Sequence, residues 1–131
     1  MILKRDNQEF VLMCILKKRI MKRIDAMIPS MRRNDVIDGI LKAGAQGVTL
    51  VESRGKGAGD RPMVGGARGT AKFIAGYNRI DTITTVVNDS KLDPVVSAII
   101  DASHRGSKGD GMIFVSTIDE AYKIGTKEKV T

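Results

Sequence analysis

The sequence predicts an α+β sandwich of the ferredoxin-like kind, a βαββαβ chain that lays two helices on one face of a four-stranded sheet. Three observations predict it. Period-two and helical stretches follow one another as strand, helix, strand, then strand, helix, strand. The two helical stretches have similar lengths, as two right-handed crossovers onto one sheet require. A chain of 131 residues has room for one such core and not for two.

In the first strand, Lys22 to Ile28, Ile24, Ala26 and Ile28 alternate with Arg23, Asp25 and Met27. Pro29 ends it. Val36, Ile37, Ile40 and Leu41 then recur at helical spacing, which predicts a helix from Met31 to Ala43, with Ser30 as its cap and Gly44 at the left-handed position past its end. Gln46 to Ser53 is the second strand, with Val48 and Leu50 on one face and Thr49 and Val51 on the other. Arg79 to Val87, rich in Ile, Thr and Val, is the third. After Asn88-Asp89-Ser90, the stripe Leu92, Val95, Val96, Ile99, Ile100 gives the second helix, with Pro94 in its first turn and a start at Ser90 or Asp93. Met112 to Val115 is the fourth strand. The polar tail, residues 119–131, is expected to be loosely held. Both helices take one sheet face. The other, carrying Thr49, Val51, Ile83, Thr85, Ile113 and Val115 or their alternates, is too apolar to face water, so an oligomer should cover it.

The formal charge is +7. The first twenty residues carry +3 of this (Lys4, Arg5, Lys17, Lys18 and Arg19 against Asp6 and Glu9), which leaves a mildly basic body at +4. There is no Trp, with three Phe and two Tyr, so a stacking platform for single-stranded nucleic acid is missing and no nucleic-acid partner is expected. An RNA-binding domain of this topology would have only Phe114 on its central strands to stack with. The lone Cys14 and lone His104 exclude an internal disulfide and a Cys or His metal cage, and the expected setting is reduced cytoplasm. The apolar run Phe10 to Leu16 is far shorter than the roughly 20 residues that span a bilayer. Lys17-Lys18-Arg19 stands where a signal peptide would need its cleavage site. Residues 1–20 are either a partner-binding extension or a translated stretch ahead of a start at Met21; the second is preferred because regular alternation begins there. The domain proper is then 21–131.

The long connection, residues 54–78, holds seven of the fourteen glycines and five cations (Arg54, Lys56, Arg61, Arg68, Lys72) against one acid, Asp60. A connection of this length in a compact domain is functional or mobile, and this one suits phosphates or an acidic surface. A second glycine-rich turn, Gly106-Ser-Lys-Gly-Asp-Gly111, precedes the fourth strand. Such turns make anion-binding nests, though glycine is also the default turn residue. Neither turn is a Walker loop or a dinucleotide fingerprint. No catalytic set can be assembled: His104 reads as a cation at a helix C-terminus, and neither a triad nor paired carboxylates are present. The chain is expected not to be an enzyme.

Four stretches together resemble the PII family of nitrogen-regulatory signal-transduction proteins: Met21-Lys-Arg-Ile-Asp-Ala-Met-Ile28, Ala43-Gly-Ala-Gln-Gly-Val-Thr49, Glu52-Ser-Arg-Gly-Lys-Gly57 and Gly109-Asp-Gly-Met-Ile-Phe-Val115. The resemblance runs from Met21 to about Thr126. It implies a homotrimer whose sheets line the centre, with adenine nucleotides (ATP or ADP, or AMP) bound in clefts between subunits. It also implies that the long connection, the T-loop, docks on an ammonium transporter in the membrane or on a metabolic enzyme. By position, Gly47, Val48, Thr49, Gly55, Gly57 and Val86 match residues around the nucleotide. Gly109, Asp110 and Gly111 match the turn that wraps its phosphates, and Lys56, Lys108, Arg105 and Lys123 are the cations expected to compensate where the family's own phosphate contacts are missing. The expected effector residues are Arg61, Arg68 and Lys72. The chain departs from the family where Met112 replaces a lysine and where Lys123 and Gly125 replace two phosphate-binding arginines. The glutamine that contacts magnesium and 2-oxoglutarate falls at Gly59, so that ligand is not expected. The loop lacks the tyrosine that is uridylylated, Tyr77 lying at its exit.

Overall fold

The computed structural model describes residues 20–56 and 78–131 in full, and the backbone alone at 63–65 and 72–74. The strands are β1 (Met21–Pro29), β2 (Thr49–Gly55), β3 (Met63–Gly65), β4 (Lys72–Ile74), β5 (Asn78–Asn88) and β6 (Met112–Ile118); the helices are α1 (Arg33–Lys42) and α2 (Leu92–Ser103). The main sheet runs β2-β5-β1-β6, and every neighbouring pair is antiparallel. This is the expected βαββαβ sandwich. β3 and β4 pair with each other inside the long connection, which the sequence had left without regular structure. The expected N-terminal extension lies outside the described residues except for Ile20, as do Gly57, Arg61 and Arg68.

The core is the layer between the sheet and both helices. Ile24, Ala26 and Ile28 of β1 and Ile83 and Val87 of β5 meet Val36 and Ile40 of α1 and Val95 and Ile99 of α2, all fully buried or nearly so. The i, i+4 spacing of each helical pair puts one stripe on the sheet. Leu41 and Ile100, expected in those stripes, are exposed. The helices touch where Gly39 lies against Ala98, close enough that a Cβ added to Gly39 would stand 3.4 Å from the Ala98 carbonyl oxygen.

Each helix is preceded by a single 3₁₀ turn, Ser30–Arg32 and Asp89–Lys91, so α1 begins two residues after the expected Met31, and α2 begins at Leu92, between the two expected starts, Ser90 and Asp93. Ser30 does not cap α1. Its hydroxyl instead donates to Asp81 Oδ1 at 3.0 Å. Gly44 has a positive φ of 109°, as the C-terminal stop requires, and Pro94 lies in the first turn of α2.

The register corrects the face assignment. Ile83 pairs with both Ala26 and Leu50, and Ile113 with Ala26, so Ile83, Thr85, Ile113 and Val115 share the helix-covered side. The open side carries Thr49 and Val51 with Met27, Thr82, Thr84, Val86, Met112 and Phe114. Val51, Phe114 and Met112 are half-exposed or more there, with Arg23 and Thr84 bonded to Asp25 between them. The tail is also better ordered than expected. Tyr122 bridges antiparallel to Lys129, the Val130 amide donates to the Ala121 carbonyl, and Thr131 is buried.

Candidate functional site

The glycine-rich turn between α2 and β6 is built inward onto one side chain. The Asp110 carboxylate folds back and accepts from the amides of Arg105 (2.7 Å), Gly106 (2.9 Å) and Ser107 (3.3 Å), and from the Ser107 hydroxyl (2.9 Å). The buried Ser103 hydroxyl, at the last residue of α2, donates to the Asp110 carbonyl at 2.8 Å. Three successive amides converging on one anion form a nest. The Arg105 amide first, then the Ser107 hydroxyl and the Gly106 and Ser107 amides, hold the Asp110 carboxyl down at about 2, against the opposing effect of desolvation. His104 ends α2, its amide donating to the Ile100 carbonyl, and its Nδ1 lies 3.7 Å from Asp110 Oδ2.

Glycine is required at two points of this turn. Gly106 has φ 81° and Gly111 φ 113°. A Cβ on Gly111 would run into the Met27 carbonyl oxygen, so the turn is seated directly on the backbone of β1. Gly109 differs, with open space where its Cβ would stand. The amides of Lys108, Gly109 and Gly111 have no hydrogen-bond partner among the described residues. The inner amides of the turn are therefore filled by its own carboxylate, and the side chains of Arg105 and Lys108 beside it are exposed. Behind the turn lies a pocket of about 170 Å³ lined by Ile28, Ile99, Ile100, Ser103 and Met112.

The residues that the sequence singled out fall into three groups. Lys108 to Met112 stand at the start of β6. Gly55 and Lys56 stand at the same end of the sheet but on the other edge, at the end of β2, where Gly55 packs against Ile80. Gly47, Val48 and Thr49, with Val86 on the adjacent strand, stand at the start of β2, and the Gly47 carbonyl accepts from the Thr85 hydroxyl at 2.7 Å. From Thr49 to Gly55 is six strand steps, about 20 Å at roughly 3.3 Å per residue. One chain does not bring the three groups together. Lys123 lies in the folded tail, its amide bonded to the Glu128 carbonyl, and Lys72 opens β4. Ser103 and Ser107, which hold the turn, were not singled out from the sequence; a serine three residues before an aspartate in a glycine-rich turn was the available signal.

Among the described residues no group of three or more His, Cys, Asp or Glu is placed to hold a metal. No helix among them is long and apolar enough to cross a membrane.

A family model described as "Nitrogen regulatory protein P-II" matches residues 21–128. A P-II protein of Nostoc punctiforme is 34% identical over 113 residues, 85% of this chain and 97% of the relative. One of Azospirillum brasilense is 32% identical over 111 residues, 83% of this chain and 96% of the relative. Among solved structures, Arabidopsis thaliana PII bound to citrate superposes with a TM-score of 0.63 at 23% identity, over 83% of this chain and 84% of that one. That likeness speaks for the fold.

Proposed function

The chain belongs to the nitrogen regulatory protein P-II family, whose members are regulators acting on partner proteins, and on that premise we propose that it binds an adenine nucleotide between the subunits of a homotrimer. The observation that carries this reading is the glycine turn, where the amides of Lys108, Gly109 and Gly111 have no hydrogen-bond partner among the described residues and the exposed Arg105 and Lys108 stand beside them. The separation of the candidate residues supports an inter-subunit site. Gly47 to Thr49 and Lys108 to Met112 lie on opposite edges of the sheet, so a second copy is needed to set one group against the other. The open face, with Val51, Met112 and Phe114 exposed, supports burial at the centre of an assembly.

In this reading the nucleotide, ATP or ADP or with fewer phosphates AMP, biases the conformations of the connection that carries Arg61, Arg68 and Lys72. That connection engages an ammonium transporter or a metabolic enzyme from the cytoplasm, and the transporter would recruit the protein to the membrane. A ligand shifts such an equilibrium only by its difference in affinity for the two states. The chain acts by binding and not by catalysis.

Calorimetry with ATP, ADP, AMP, cyclic AMP and bicarbonate tests the reading. Saturable binding of at least one adenine nucleotide, about one per subunit, is expected. A well-folded oligomer that binds none of the adenine compounds overturns it. Met112 and Gly125 stand where the family has cations, which favours a second reading: a sensor of a less charged ligand, such as a cyclic nucleotide or bicarbonate. Tighter binding of either of these than of ATP would select it.

A further inference from the structure

At the root of the long connection the sheet has an electrostatic fault that a single side chain repairs. Glu52 of β2 and Asp81 of β5 are direct partners across the strand pair and so lie on one face of the sheet. Asp81 is 1% exposed. Two carboxylates directly opposite one another repel and loosen an antiparallel pair. Burying one of them makes the fault worse, because an uncompensated charge away from water is costly.

Arg33 lies between them. Its Nη1 donates to Glu52 Oε1 at 2.8 Å and stands 3.3 Å from Asp81 Oδ2, while Ser30 holds the other Asp81 oxygen. Asp81 Oδ2 has no hydrogen-bond donor of its own and depends on the ion pair with this guanidinium. Arg33 is the first residue of α1, where a cation opposes the helix dipole, so helix stability does not account for it. The cluster comes from three separate parts of the chain: the turn before α1, the end of β2 and the start of β5. The three strand pairs beyond it, Ser53 with Ile80, Arg54 with Arg79 and Gly55 with Asn78, carry the chain into the connection. Within them, the Ser53 hydroxyl donates to the Ile80 carbonyl at 2.8 Å.

We propose that Arg33 is a latch that ties both legs of the long connection to the first turn of α1, by neutralising the opposed carboxylates of Glu52 and Asp81. With the latch in place the legs stay paired out to Gly55 and Asn78. With it open, like charges face each other at the root and the pairing ends before Glu52 and Asp81. A residue on the helix layer thereby sets how far the pairing of the two legs extends toward Gly55 and Asn78.

Hydrogen exchange on the ligand-free full chain tests this, so the result does not depend on whether a nucleotide binds. In Arg33→Met, amides of residues 52–55 and 78–81 should exchange at least tenfold faster than in the wild type, with the core segments 24–28 and 95–99 unchanged. Adding Glu52→Gln removes one of the opposed charges and should recover most of the lost protection. Should Arg33→Met fold poorly, Arg33→Met with Asp81→Leu removes the buried charge together with its partner; with no opposed carboxylates left it should fold and protect residues 52–55 and 78–81 to within about threefold of the wild type. Root protection equal to the wild type in Arg33→Met, faster exchange spread evenly over the domain, or no recovery when Glu52→Gln or Asp81→Leu is added overturns the proposal.

Discussion

Replacing Gly111 by alanine should be the most damaging of the small substitutions in the glycine turn, and the structure supplies its own controls. At φ 113° an L-residue is strained, a cost of about 1–2 kcal/mol by analogy with the left-handed region. The new methyl also meets the Met27 carbonyl oxygen. Relieving that contact means moving the turn or the β1 backbone, at about a further 1–2 kcal/mol. The sum is roughly 3 kcal/mol, and at about 4 °C per kcal/mol for a domain of this size the midpoint should fall by roughly 12 °C. Gly106→Ala carries the positive φ but meets nothing within 4 Å, so about 1–2 kcal/mol and a fall of about 4–8 °C are expected. Gly109→Ala has neither penalty and should melt within about 2 °C of the wild type. Thermal unfolding followed by circular dichroism at one fixed protein concentration, which holds any assembly equilibrium constant, measures all three. If Gly111→Ala and Gly109→Ala melt together, the seating of the turn on β1 is wrong.

The other predictions concern the nest and the open face. Because the folded Asp110 carboxyl titrates at about 2, below its ordinary 3.8, its contribution to stability is present above pH 4 and lost as pH falls from there toward 2. Thermal midpoints against pH should therefore show a drop in that window which is absent in Asp110→Ala; identical profiles would remove Asp110 from the role of nest anion. Phe114→Arg sets a guanidinium opposite Asp25, its strand partner, so the fold should survive while any assembly across the open face must strip water from an added cation and the carboxylate it faces. Light scattering should show the wild type as a trimer and this variant as a monomer with an unchanged far-ultraviolet spectrum; a trimer in both would move the interface elsewhere.

Local chemistry made most of the fold legible. Ile24, Ala26 and Ile28 announced β1, and the spacing of Val95 and Ile99 announced α2, because in each case the burial period matches the backbone period. Reading failed where a residue answers to a distant partner. On β5, Asp81 sits in the buried set, and the sequence offers no sign that Arg33 would neutralise it. Both faces of that strand therefore looked equally apolar, and its sides were confused. For the same reason Ser30 looked like a helix cap, when its hydroxyl is taken by Asp81. The ordered tail was missed because one corner is Lys127, at φ 62°, a conformation that a lysine does not advertise. In the glycine turn the sequence singled out Gly109, Asp110 and Gly111, but that Asp110 fills the inner amides is visible only in three dimensions.

The four-stranded sheet ends in two unlike strands, β2 on one side and β6 on the other, and neither has an outer neighbour among the described residues. Copies that join one kind of edge to the other form a head-to-tail contact, which either closes into a ring or grows without limit. The choice rests on the angle turned per copy. For copies that did close into a ring this way, a substitution that altered the angle by a few degrees, with the monomer fold intact, would leave the ring unclosed and the copies adding on as a filament.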